Sequence, residues 1–143
     1  MNGNAELLNF IYQNSQMGVD TINQLIPIVE DKEFKTHLQT QQREYETFHK
    51  KAKEKLNKSG YDEKGIKAFD KMKTYLMIVI DTISDKSPSH IAKMLILGSD
   101  MGVTEGITKI RKYEGQVEES IVKLMEQLKD FEENNIQRLQ NFL

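Results

Sequence analysis

The 143-residue sequence predicts an all-α fold, an up-down four-helix bundle with an additional helix in the connection between its second and third long helices. Three observations lead there. Apolar residues recur at three- and four-residue steps over most of the chain. Only 2 prolines and 8 glycines interrupt that pattern, and 38% apolar content fits neither a disordered tail nor a turn-rich β-barrel. The pattern of the first half also returns in the second. The length suits one domain spanning residues 1–143.

The first helix, A, is expected over about 4–29, with Leu8, Ile11, Tyr12, Val19, Ile22, Leu25, Ile26 and Val29 on one wide stripe. Pro27 loosens its last turn, because proline lacks the N–H and clashes with the preceding turn. Asp31 then offers an N-cap oxygen to helix B, expected over 32–58, where Phe34, Leu38, Tyr45, Phe48, Ala52 and Leu56 share a face. Ser59-Gly60 stops it. The lysines at 50, 51, 53, 55 and 58 read as a solvated face that suits the negative end of the helix dipole. A joining helix is expected over 66–84, where Ile66, Phe69, Met72, Leu76, Val79 and Ile83 keep helical spacing. Its run from Tyr75 to Ile80 is apolar on more than one side, which points to a second buried surface and a homodimer or other homo-oligomer. Ser87-Pro88 supplies an N-cap followed by proline at the first helical position, opening helix C over 89–113. Gly115 separates it from helix D, expected over 116–142 on the stripe Ile121, Met125, Leu128, Glu132, Asn135, Leu139 and Phe142.

Charge and composition narrow the function classes. Twenty Lys+Arg against 22 Asp+Glu leave a formal charge of -2, with no basic footprint for nucleic acid or anionic lipid. The absence of cysteine removes disulfides, thiol catalysis and thiolate-bound metals. No stretch reaches the 18 or more apolar residues of a membrane span, and the first residues lack a signal-peptide pattern, so a cytoplasmic protein away from membranes is expected.

A shift of 84 residues places Ser15-Gln16-Met17-Gly18-Val19 on Ser99-Asp100-Met101-Gly102-Val103, and a shift of 83 places Leu38, Tyr45, His49 and Leu56 on Ile121, Leu128, Glu132 and Leu139. The chain therefore reads as a duplicated hairpin, A–B and C–D. Helices of about 25 residues are about 38 Å long, and the joining helix can carry the chain back along them, so B and C are expected to run parallel. Glycine inside a helix costs about 1 kcal/mol relative to alanine. A tight A–C contact at Ser15, Gly18, Ser99, Gly102 and Gly106 is the expected compensation.

Glu46-Thr47-Phe48-His49 in helix B carries the Glu-x-x-His pattern. With the segment from Ile26 through Glu30-Asp31-Lys32-Glu33-Phe34, it resembles the ferritin-like superfamily, in particular its rubrerythrin-like members. That resemblance implies two hairpins, each supplying a lone Glu and a Glu-x-x-His to a two-metal centre in the core. Carried over residue by residue, it fits Glu46 and His49 and finds a carboxylate in Glu132. The second histidine is replaced by Asn135 or Ile136, Asp20 points outward, and Glu105 sits at the edge of its stripe. The motif is degenerate. Two readings follow: Tyr45, His49, Glu132 and Asn135 form a buried polar layer that fixes helix register, or Glu46, His49 and Glu132, with Glu105, hold a single iron or manganese ion. The expected function is accordingly a non-catalytic interaction or structural protein with a degenerate metal site. The alternative is a metal-binding or oxidoreductase-type protein using Glu46 and His49. A third class binds a small apolar ligand between the helices. His37 and His90 read as exposed or capping residues.

Overall fold

The computed structural model describes residues 2–61 and 84–143. These form four long helices: α1 (Gly3–Leu25), α2 (Lys32–Lys58), α3 (Pro88–Lys112) and α4 (Glu119–Leu139), the last followed by a 3-10 turn over Gln140–Phe142. The joining helix expected over 66–84, with its Tyr75–Ile80 run, lies outside the described residues except for Ser84, which is non-helical.

Local chemistry explains the ends. The Asn2 side chain accepts from the Asn4 N–H at 2.9 Å and opens α1. The helix closes at Leu25, four residues before the expected end. Pro27 has no N–H to donate, and Ile28 and Val29 instead donate to the Leu25 carbonyl at 2.9 and 3.1 Å, turning the chain. Asp31 Oδ1 accepts from the Phe34 N–H at 2.8 Å, a cap worth about 1 kcal/mol, and α2 begins one residue later, as expected. At its far end Gly60 adopts φ +77°, the Gly60 N–H donates to the Asn57 carbonyl, and the Tyr61 N–H donates to the Leu56 carbonyl. This is the Schellman arrangement, which requires a left-handed residue that glycine supplies without strain. Ser87 caps α3 through the His90 N–H. Gly115, at φ +76°, breaks the path to α4, which starts at Glu119 rather than 116; the Glu118 N–H just before it donates to Asn4 Oδ1 at 2.9 Å.

That last bond also orients the bundle. The first turn of α1 lies beside the start of α4, and Gly3 sits against Tyr113 and Val117 at the end of α3. Tyr61, just past α2, hydrogen-bonds Asn2 at this same end. At the opposite end Val29, Glu30 and Asp31 line one hollow with Lys86, Ser87 and Pro88. Thus α1 is antiparallel to α2 and α3 and parallel to α4, which makes α2 and α3 parallel. The closest packing is within the two hairpins, α1 with α2 and α3 with α4.

The interior has two apolar parts. Leu7, Leu8, Ile11, Ala52, Leu56, Leu124 and Met125 fill the end near the α1 N-terminus. Ile22, Leu25, Phe34, Leu38, Ile91, Ala92 and Leu139 fill the other. Between them lies a polar layer. It includes Asn14 and Ser15 from α1, Gln41 from α2, Ser99 from α3, and Glu132 and Asn135 from α4, all buried. Among the described residues no helix is long and apolar enough to cross a membrane.

Candidate functional site

The four residues singled out for a metal occupy different environments. Glu132 is inside the bundle, 3% exposed. Glu46 is exposed on α2, because it follows the buried Tyr45 by one residue and is therefore turned about 100° away from the inner stripe. Glu105 is exposed on α3 beside the buried Gly106. His49 is half-buried and stacks on Tyr12, ring centroids 4.3 Å apart. Among the described residues, no three His, Asp or Glu side chains are grouped as a metal ion would require. Of the polar layer expected from the sequence, Tyr45, Glu132 and Asn135 come together, and His49 lies one turn further along α2.

Glu132 is the hub. The Tyr45 hydroxyl donates to its Oε1, and Asn135 Nδ2 approaches the same oxygen at 3.5 Å. Asn14 supplies a further side-chain hydrogen bond. Carboxamide N and O atoms are distinguished by their surroundings, and here the acceptor-only carboxylate draws the NH2 groups of both asparagines. Gln41 and Ser99 hydrogen-bond Tyr45 in turn. Three elements thus direct donors toward one carboxyl group.

The hydrogen bonds do not offset burial. Full removal from water pushes the Glu132 carboxyl up to about 7 from its ordinary 4.5, although the bonds from Tyr45, Asn135 and Asn14 favour the charged form. Among the described residues no cationic side chain contributes to that shift. Burial first, and then the Glu132 charge, push the Tyr45 phenol well above its ordinary range. Among the described residues, Asn14 Oδ1, Thr21 Oγ1 and Asn135 Oδ1 are buried without a hydrogen-bond partner. Asn14, Thr21, Gln41, Tyr45 and Glu132 line one cavity of about 30 Å³, together with Met17, Ile22, Met94 and Leu95.

The helical glycines are explained here, differently from the expected backbone contact. Gly18 and Gly98 border the same cavity, so α1 and α3 do meet at the repeated segment. What fills the missing Cβ space, however, is side chain. A Cβ on Gly18 would lie 2.6 Å from the Tyr45 ring, and one on Gly102 would lie 2.9 Å from Glu132 Oε2 and 3.0 Å from Asn14 Oδ1. The two repeats therefore use equivalent glycines to seat non-equivalent partners. Residue 45 corresponds to Leu128, and Glu132 to His49, one turn away. Ser15 does not bridge helices; its hydroxyl donates to the Ile11 carbonyl at 2.7 Å.

Asn14 and Gln41 are the members of the site that the apolar pattern passes over. A signal was present, since Gln41 continues the Phe34–Leu38–Tyr45 stripe at three- and four-residue steps and Asn14 stands three residues after Ile11 and four before Gly18. His37 and His90, expected to be exposed or capping, divide: the His90 N–H is part of the α3 cap, whereas His37 is half-buried beside the Phe142 ring, 5.6 Å between centroids. No family model, curated protein or solved structure matches the chain.

Proposed function

We propose that this chain is a non-catalytic, ferritin-like helical bundle that acts through interaction, including self-association. In this reading the polar layer holds Glu132 and Asn135, two of the positions that the resemblance aligns with metal ligands, and it serves to fix the register of the four helices. The observation that carries the reading is the disposition of the carboxylates. One of the three candidates, Glu132, is in the core, and it accepts from Tyr45 and Asn135; Glu46 and Glu105 are exposed. Polar groups buried this way restrict a bundle to the one arrangement that pairs them. The parallel course of α2 and α3, which demands a long connection, supports the ferritin-like assignment. Leu97 and Met101, 47% and 41% exposed and one turn apart on α3, support a contact with another chain.

Sedimentation of the purified protein, with iron and manganese measured in the sedimenting species, tests both parts of this reading. A species of two or more chains without stoichiometric metal is the expected result. Monomers alone would contradict self-association. Stoichiometric metal that disappears in His49→Ala would instead favour the metal-binding reading built on Glu46 and His49.

A further inference from the structure

We infer that two copies of this chain pair antiparallel through the outer face of α3, each Leu97 seated in a hole that Met94, Leu97, Gly98 and Met101 form on the other copy. The inference rests on the self-association proposed above and names its surface and register. A helix that packs on one side and meets water on the other carries charged and polar residues along its outer stripe. On α3 that stripe is nearly bare: from Met94 to Thr104 the only charged residue is Asp100. Leu97 and Met101 are exposed there, one turn apart, with Met94 half-buried beside them.

Four residues at positions i, i+3, i+4 and i+7 surround one hole on a helix surface, the kind that receives a side chain from a facing helix. Met94, Leu97, Gly98 and Met101 have that spacing. Where Gly18 and Gly102 are filled from within the bundle by Tyr45 and Glu132, none of the described residues comes within 4 Å of the place a Gly98 Cβ would take. The missing side chain deepens the hole, although the one methyl of alanine would still leave a place for leucine. The two methionines adapt to the shape of what enters.

The charges select a second copy as the occupant and fix its direction. Lys93 and Asp100 are both exposed, and at 100° per residue they lie on the same flank of α3, about 40° and 60° from Leu97. When α3 is laid antiparallel on itself about a two-fold axis beside Leu97, like flanks meet, and residues equally far before and after Leu97 come level. Lys93, four residues before it, then faces the partner's Asp100, three residues after it, and the symmetry repeats the pair. A parallel arrangement would instead set Lys93 level with Lys93 and Asp100 level with Asp100, which like charges oppose.

The chain has no cysteine, so single introduced cysteines report this register cleanly. Under mild oxidation Leu97→Cys is expected to form a covalent dimer, because residues beside the two-fold axis bring their Cα atoms within the roughly 4.4–6.8 Å that a disulfide requires. Met101→Cys should not, since its two copies would stand roughly 12 Å apart along the helix axis. In sedimentation of the uncrosslinked proteins, Lys93→Asp and Asp100→Lys should each raise the dimer dissociation constant by about tenfold or more, and the double exchange should restore it. A monomeric wild type would overturn self-association itself, and this pairing with it. A dimeric wild type would overturn the pairing alone if Leu97→Cys gave no cross-link, if positions 97 and 101 cross-linked equally, if the single exchanges left the constant unchanged, or if the double exchange failed to restore it.

Discussion

Replacing Glu132 with glutamine is expected to stabilise the folded protein by about 3 kcal/mol at pH 8 and to change it little at pH 4. Unfolded, the carboxyl titrates at its ordinary 4.5; folded, burial raises this to about 7. Between these values the native state holds the proton more tightly than the unfolded chain does. Stability from this source is therefore complete below about pH 4.5, declines as the pH rises, and is lost once the pH has passed 7. Glutamine stays neutral throughout, still accepts from Tyr45, and removes that slope. Among the described residues the groups facing Glu132 include no counter-charge: α1 contributes Asn14, α2 the phenol of Tyr45, α3 the glycine at 102, and α4 Asn135. Urea unfolding of both proteins at pH 4, 6 and 8 measures the difference between them, which cancels the other titrating groups. Curves that stay parallel across this range would show that Glu132 is not held in the apolar setting described here.

Gly18→Leu should be the most damaging single change in the middle of the bundle. Even its Cβ would be 2.6 Å from the Tyr45 ring, and the ring cannot withdraw freely, because its hydroxyl is committed to Glu132 and its edge packs on Phe131 at a centroid distance of 4.9 Å. Overpacking of this kind costs about 3 kcal/mol, which for a chain of this size lowers the melting temperature by about 10 °C. Gly98→Ala provides the contrast. It is also a helical glycine of the same layer, but none of the described residues occupies the space where the Cβ would go, so alanine should gain up to about 1 kcal/mol through helix propensity. Calorimetric melts that showed the two substitutions to be alike would remove the seat for Tyr45 from the account.

The architecture was readable from the sequence because its signals are local and redundant. The Asp31 cap, the Ser87-Pro88 start and the Ser59-Gly60 stop each act within one helical turn, and the boundaries of α2 follow from them to the residue. The ends of α1 and α4 were less legible. Pro27 permits either a kink or a stop, and the start of α4 at Glu119 has no side-chain cap to mark it in the sequence.

The site was legible in part, for a related reason. Periodicity identifies positions that face inward, so Tyr45, Glu132 and Asn135 could be read as one layer. It says nothing about which inward residues share a level along the bundle axis. That is why His49, four residues beyond Tyr45, was grouped with them although it stacks on Tyr12 instead. Glycines likewise announce a close approach without naming the visitor. At Gly18 and Gly102 the visitors are the side chains of Tyr45 and Glu132. Asn14 and Gln41 are harder to read from the pattern, because carboxamides are mostly surface residues and do not mark an inner stripe by themselves.

Central to this account is a carboxyl group enclosed in the core and surrounded by neutral donors. The most direct measurement is the carbon-13 shift of the Glu132 carboxyl followed against pH in the intact protein, assigned by comparison with Glu132→Gln. The account predicts a midpoint near 7. A midpoint at 4.5, the value of a carboxyl open to water, would contradict it.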